Sequence, residues 1–144
     1  MKPYPHHYSV EATAEPSESV ELSAAGLPTL ASAPPVEFDG PGNLWSPETL
    51  LVAALADCFI LTFRAIARAS RLEWKRLTCQ AGGTLARVDG VTRFTSFQIR
   101  AELALPPGGN EETGRRLLDK AERTCLVTNS LAAPVELVAE VSAG

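Results

Sequence analysis

The sequence has few cysteines, no block of basic residues and no apolar stretch near its N-terminus. The three cysteines, Cys58, Cys79 and Cys125, are odd in number and widely spaced. That pattern excludes a secreted disulfide framework and a zinc site built from paired CxxC motifs. In a reducing cytosol, such cysteines are expected to be redox-active or simply buried. We therefore predict no metal site and no cofactor.

The other two absences limit partners and location. A net charge of -4, with no basic block to meet phosphates, argues against a nucleic-acid partner. The opening residues, MKPYPHHYSV, lack the apolar core of a signal peptide. Asp57 and Arg64 interrupt the longest apolar stretch, so no run of 18 apolar residues is left for a membrane span. We expect a cytoplasmic protein, and its 144 residues suit a single domain over 1–144.

What the chain does contain is one long helical pattern, predicted over residues 47–69. Ser46 is suited to cap it, Pro47 to occupy its first position, and Glu48 to lie at the positive end of its dipole. About 23 residues of helix would run roughly 34 Å. The middle of the pattern is apolar on nearly every side, so the helix is expected to be covered all round.

The remaining patterns predict strands before and after this helix. Before the helix we expect a half-buried hairpin over 8–14 and 19–24, an irregular or short edge segment at 26–35 and a strand turn at 36–38. After it we expect a hairpin over 77–88 and 91–105 that turns at Asp89-Gly90. A helix from Glu111 to about Arg123, capped by Asn110, a second short helix within 124–131 and a strand at 134–141 complete the chain. A bulge or a close backbone approach is expected at Gly82-Gly83, and a bulge or twist near Thr95-Ser96. Segregated strands and helices indicate an α+β fold.

Each cysteine can be interpreted either as a structural residue or as a chemically reactive one. A buried cysteine on an apolar face, such as Cys58 or Cys79, is usually a small hydrophobic residue. Burial at mid-helix raises the pKa of a thiol, so Cys58 needs a nearby cation to act as a nucleophile, and Arg64 and Arg68 lie off its face or far along the helix. Cys125 follows a charged helix and precedes polar residues, so it is predicted to be reachable from a cleft.

Glu48 lies ten residues before Cys58, about 15 Å away along the same helix. It therefore cannot touch that cysteine within its own chain. Stabilising the helix N-terminus is a sufficient role, worth about 0.3–1 kcal/mol. Any help to Cys58 has to come across a dimer from a partner helix running the other way.

Two segments, SPETLLVAALADCF (Ser46–Phe59) and CLVTNSL (Cys125–Leu131), with their spacing and the order of elements, resemble the OsmC/Ohr family of osmotically inducible and organic hydroperoxide resistance proteins. The resemblance covers essentially the whole chain. It implies an OsmC-like α+β fold with antiparallel sheets packed around a long central helix. It also implies an intertwined homodimer with its sites at the subunit interface.

The resemblance further implies a thiol peroxidase active in the stress response. Cys58 would attack an organic hydroperoxide and become a sulfenic acid, and Cys125 would resolve it as an intramolecular disulfide. A dithiol, often of lipoyl type, would reduce that disulfide. Glu48 matches the family's carboxylate that orients an activating arginine. On this basis the predicted catalytic residues are Cys58, Cys125 and Glu48.

The chain departs from the family pattern at the activating arginine, which the family supplies from the region before the long helix. Here no arginine precedes Arg64, and Leu126 replaces the usual proline after the second cysteine, which is typical of a divergent OsmC-like branch. His6 and His7 are expected to belong to a solvated terminus, but together with Lys120 and Arg123 they are unranked candidates to replace the arginine. The alternative function is an OsmC-like dimer without peroxidase activity that binds a small hydrophobic ligand at its interface.

Overall fold

The computed structural model describes all residues, Met1–Gly144. The elements, in chain order, are β1 (Glu11–Thr13), β2 (Val20–Ser23), β3 (Leu30–Ser32), a 3₁₀ turn (Val36–Phe38), α1 (Pro47–Ala69), β4 (Arg76–Val88), β5 (Val91–Leu105), α2 (Glu111–Thr124), α3 (Leu126–Ser130) and β6 (Val135–Ala143). They form two compact units, Met1–Leu50 and Leu51–Gly144, with α1 beginning in the first and continuing in the second. A single domain over 1–144 stays a prediction.

The first unit holds a small antiparallel sheet in the order β1-β2-β3. The predicted hairpin is present, but all three residues of β1 are exposed, so it is less buried than expected. β3 lies within the segment expected to be irregular or a short edge. Residues 36–38 form the 3₁₀ turn instead of the predicted strand turn, because the chain closes back on itself here: the Gly40 N–H donates to the Pro35 carbonyl at 2.9 Å.

The N-terminus of α1 is capped as predicted. The backbone N–H of Thr49 donates to Ser46 Oγ at 3.1 Å, and the Ser46 N–H donates to Thr49 Oγ1 at 2.9 Å. This reciprocal pair is a capping box with threonine in the place usually taken by glutamate. Ser46 is only 2% exposed, so the cap is a buried feature of the fold.

The second unit holds a sheet in the order β4-β5-β6. β4 and β5 form the predicted antiparallel hairpin, and Thr95 is an extra residue in β5, because Thr84 pairs with Ser96 and Leu85 with Phe94. The predicted bulge near Thr95-Ser96 is therefore confirmed. β6 is parallel to β5, so this sheet is mixed and the expectation of antiparallel sheets is wrong for that pair. The reason is the long connection through α2 and α3, the kind of crossover that parallel strands require.

The core of the second unit forms between α1, the inner face of β5 and α2. Its buried side chains include Leu55, Phe59, Phe63 and Ala67 of α1, at a spacing of four residues. The remaining faces of α1 are exposed or only partly buried within the chain, and Leu61 is 48% exposed. The expectation of a helix covered all round is thus not met by one chain. By length and composition α1 is also long and apolar enough to cross a membrane, so Asp57 and Arg64 do not by themselves exclude a span.

Candidate functional site

Two cysteines from distant parts of the chain meet in the second unit. Cys58 lies in the middle of α1, and Cys125 lies between α2 and α3. α2 places Cys125 by its buried stripe of Gly114, Leu117, Leu118 and Ala121, and the Cys125 N–H donates to the Ala121 carbonyl at 2.9 Å. Cys125 therefore faces inward at 0% exposure, and the prediction that a cleft leads to it is wrong for the single chain. Its thiol lies close enough to the partly exposed Cys58 for each cysteine to shift the pKa of the other.

The surroundings of Cys58 disfavour its thiolate. Burial raises the pKa of Cys58 above its usual value, and the neighbouring Cys125 raises it further. A backbone N–H of Val127 and the hydroxyl of Thr62, 3.8 Å from the sulfur, act in the other direction without outweighing burial. The direction predicted for a mid-helix cysteine in apolar surroundings is thus confirmed.

The surroundings of Cys125 favour its thiolate. Burial pulls the pKa of Cys125 upward, but several hydrogen-bond donors outweigh burial and the net shift is downward. The donors are the backbone N–H and hydroxyl of Thr128, the thiol of Cys58 and the backbone N–H of Val127. Thr128 Oγ1 is buried and has no hydrogen-bond partner by distance and angle, so its hydroxyl acts on Cys125 only from nearby. No lysine or arginine is among the groups that chiefly shift either pKa.

Cys79, on the core-facing side of β4, is electrostatically close to this pair. Burial raises the pKa of Cys79 to about 11, and a negative charge on Cys125 contributes to the rise. The interpretation of Cys79 as a small hydrophobic residue agrees with its packing against the core. Its closeness to Cys125 was not foreseen, because nothing in the sequence indicates which residues of α2 and α3 face β4.

Glu48, the third residue predicted for the site, lies in the first turn of α1, within the first unit. Its Oε1 is buried and has no hydrogen-bond partner. The side chain lines a mostly apolar cavity of about 280 Å³, together with Val20, Ala33, Pro34, Pro35 and Phe38. An unpartnered carboxylate oxygen in an apolar cavity is costly unless a donor reaches it. The role of Glu48 beyond the helix N-terminus stays a prediction.

The two histidines belong to an exposed N-terminal segment. His6 Nε2 lies 2.9 Å from the Lys2 carbonyl, and the ring stacks on Tyr4 at 4.6 Å between centroids. His7 is exposed as well, as are Lys120 and Arg123 on α2. No group of three or more histidine, cysteine or acidic side chains is arranged to hold a metal ion. The structure therefore brings together Cys58 and Cys125, with no cation identified beside them.

Several known proteins share this architecture. An OsmC-like protein of unknown function from Vibrio cholerae superposes with a TM-score of 0.87 at 19% identity, over 94% of this chain and all of that one. The organic hydroperoxide resistance protein OsmC of Legionella pneumophila superposes with a TM-score of 0.74 at 24% identity, over 96% and 99% of the two chains. These likenesses confirm the predicted α+β, OsmC-like fold.

Sequence comparison assigns the family. The uncharacterized protein YmaD of Bacillus subtilis (strain 168) is 28% identical over 142 residues, which cover 95% of this chain and 94% of YmaD. The family model for OsmC-like protein matches residues 40–140, a span that includes Cys58, Cys125 and Glu48. The match covers well over half of the chain, and the fold agrees with it. The chain therefore belongs to the OsmC-like protein family.

Proposed function

We propose that this protein is a thiol-dependent peroxidase that reduces organic hydroperoxides. Cys58 attacks the terminal peroxide oxygen and becomes a sulfenic acid, releasing the alcohol. The Cys125 sulfur then attacks the Cys58 sulfur, a water molecule leaves, and a Cys58–Cys125 disulfide forms. An external dithiol reduces that disulfide and restores both thiols.

The observation that carries this proposal is the proximity of the two cysteines. Cys58 and Cys125 are far apart in the sequence, and yet inside one chain they lie close enough for each to shift the pKa of the other. Neither cysteine is joined to another by a disulfide. The partly exposed sulfur is that of Cys58, which suits it to meet the peroxide first, and the buried sulfur of Cys125 suits the resolving step. Some relatives in fold are named organic hydroperoxide resistance proteins.

A homodimer is part of the proposal. The stripe of α1 that faces away from the core consists of Ala54, Asp57, Leu61, Arg64, Ala65 and Arg68, all exposed in the single chain. A helix as apolar as α1 is normally covered on most of its faces. A second copy of the chain would cover this stripe and bring new side chains toward Cys58. The mass of the protein in solution at micromolar concentration tests this, and a monomer would contradict it.

The decisive experiment measures consumption of cumene hydroperoxide with dihydrolipoamide as the reductant. The wild-type protein is expected to turn over, Cys58→Ser to be inactive, and Cys125→Ser to stop after one oxidation at Cys58. Cys79→Ser is the matched control, because it removes a neighbouring thiol that has no part in the cycle. Wild-type consumption no faster than that of Cys58→Ser would rule out the peroxidase.

The second candidate is binding of a small ligand without peroxidase activity, and the cavity at Glu48 favours it. That cavity is mostly apolar and contains one buried carboxylate oxygen that lacks a donor. A small apolar amine would fill the space and supply the missing hydrogen bond. Cyclohexylamine binding followed by calorimetry, with cyclohexanol as the neutral probe and Glu48→Gln as the control variant, tests this. Equal binding of both probes, or none, would count against it.

A further inference from the structure

We propose that two copies of this chain pair through the exposed stripe of α1, with the two helices antiparallel and Leu61 at the two-fold axis. In this arrangement Asp57 of each copy faces Arg64 of the partner subunit. The inference rests on the homodimer of the proposed function and adds the contact surface, the direction of the helices and their register. It also gives Cys58 a wall that the second copy supplies.

The stripe lies opposite the core-facing side of α1. The buried residues of this helix recur every four positions on the side that packs against the core. Leu61 is the one large apolar side chain on the opposite side and is 48% exposed. It also lies midway along the stripe, because Ala54 and Arg68 are each seven residues away from it. The full stripe consists of Ala54, Asp57, Leu61, Arg64, Ala65 and Arg68.

The charges near the middle of the stripe are arranged along one edge. Asp57 lies about one turn before Leu61, and Arg64 lies almost one turn after it. The two charged residues are about 10 Å apart along the axis, so they are two turns apart in their own chain. At about 100° per residue, position 64 returns to within about 20° of position 57. This edge therefore carries a negative charge at one end and a positive charge at the other.

The antiparallel direction matches these charges and the parallel direction does not. A two-fold axis makes the contact isologous, so that residue i meets residue j and residue j meets residue i. With Leu61 on the axis and the helices antiparallel, Asp57 lies across from Arg64 of the partner subunit, and the same pair occurs a second time. Parallel helices would instead set each charge against its own copy. Like charges across an interface cost affinity, whereas complementary charges fix the register.

A second copy also fits this stripe better than a lipid bilayer does. Three of the six stripe residues, Asp57, Arg64 and Arg68, carry charge, and a charged side chain facing hydrocarbon is costly. A second copy meets Asp57 and Arg64 with opposite charges and covers Leu61 with another leucine. The stripe is therefore assigned to a second copy of the chain.

The pairing also closes the open side of Cys58. This cysteine is partly exposed and borders the stripe, since Ala54 lies one turn before it and Leu61 almost one turn after it. In the antiparallel register Ala65 of the partner subunit lies across from Cys58. The thiol then faces an apolar wall from the second copy, which suits the organic group of a hydroperoxide.

The first test reverses the charges and measures the dimer dissociation constant at low salt by analytical ultracentrifugation. Asp57→Arg alone and Arg64→Asp alone each set like charges against each other at two symmetric places, and each should weaken the dimer at least about tenfold. Both changes together restore opposite charges and should recover most of the wild-type affinity. Arg68→Asp is the matched control, because position 68 lies across from Ala54, and it should change the constant less than about threefold.

The outcomes of this test separate the register from the dimer itself. A wild-type monomer would refute the homodimer and this pairing together. A wild-type dimer that neither single change weakens, or that the double change does not restore, would overturn the pairing alone. Circular dichroism checks that each variant is folded. No peroxide is used, so the result is independent of whether the protein is a peroxidase.

The second test cross-links the two copies at the axis and does not depend on the charge variants being folded. In Leu61→Cys the two introduced thiols face each other, and mild oxidation should join the copies through them. In Arg68→Cys the same thiols are about 21 Å apart along the axis, beyond the roughly 7 Å between Cα atoms that a disulfide spans. Mass spectrometry of the linked peptide distinguishes this bond from any made by the native cysteines. A link through position 68, or none through position 61, would overturn the register.

Discussion

The two long helices of this protein differ in composition and in how completely their apolar residues are buried. α1 is apolar on nearly every side, but only Leu55, Phe59, Phe63 and Ala67 are fully buried in the chain. α2 is rich in charge, and its narrow apolar stripe is fully buried. The apolar stripe of α2 is thus fully buried within one chain, whereas much of the apolar surface of α1 is not.

Each helix also positions one cysteine, and the difference between the helices extends to the thiols. α1 holds Cys58 on a face that the core covers only in part, and α2 delivers Cys125 to a fully buried position. The pKa of Cys58 is raised by burial, whereas nearby backbone and hydroxyl groups lower the pKa of Cys125 although it is the more buried of the two. Burial alone therefore does not rank the two cysteines, and the local donors decide.

The largest expected effect is on the buried stripe of α1. Phe59→Ala removes a ring at 0% exposure and should lower the free energy of unfolding by about 3–5 kcal/mol, since the cavity adds to the lost transfer energy. Leu61→Ala, two residues on and 48% exposed, should cost within about 0.5 kcal/mol in the monomer. Urea denaturation at low protein concentration measures both. A similar cost for the two variants would refute the one-sided burial of α1.

The next largest expected effect is on the reactivity of the Cys79 thiol. Its pKa of about 11 means that it should react with iodoacetamide at pH 9 about fiftyfold more slowly than an unperturbed thiol that is half ionised there. Because the folded state retains the proton, stability should fall as pH rises from the ordinary value of 9.0 toward 11. Cys79→Ser should flatten that part of the stability profile. Fast labelling of Cys79 at pH 9 in the folded protein would show that β4 does not bury it.

The N-terminal caps of α1 and α2 allow a further comparison of the two helices. Asn110 Oδ1 accepts from the Thr113 N–H at 3.0 Å in an exposed setting, so Asn110→Ala should cost about 1 kcal/mol and Asn110→Ser much less. Ser46→Ala should cost more, because this cap is buried and its loss also leaves the Thr49 hydroxyl without one of its partners. Thermal unfolding of the three variants measures the order. A smaller cost at Ser46 would mean that α1 does not depend on its capping box.

Much of this fold was predictable from local patterns. Ser46 and Asn110 cap the two helices, Asp89-Gly90 turns the long hairpin, and the change of face near Thr95 marks a bulge. The direction of β6 was not predictable in this way, because it depends on the path of the chain through α2 and α3. The incomplete cover of α1 was missed for a related reason: composition shows that a face is apolar without showing whether the same chain covers it.

Some features of the site were likewise predictable from the sequence, and others were not. The raised pKa of Cys58 followed from its place in an apolar helix, and the pairing of Cys58 with Cys125 followed from a family resemblance. The donors to Cys125 were missed, although a cysteine directly before a short helix, with Thr128 three residues later, is the signal that could have revealed them. The closeness of Cys79 to Cys125 had no sequence signal, since it depends on how distant parts of the chain come together.

The smallest expected effect concerns the one side-chain hydroxyl beside Cys58. Thr62 Oγ1 lies 3.8 Å from the Cys58 sulfur, a long contact that lowers the pKa of this thiol less than burial raises it. Thr62→Val keeps the shape and removes the hydroxyl, and should slow alkylation of Cys58 at neutral pH only about twofold. Thr62→Ser is the control that retains the donor. An equal loss in Thr62→Val and Thr62→Ser would show that the hydroxyl does not act on the Cys58 sulfur and that the side chain matters only for packing.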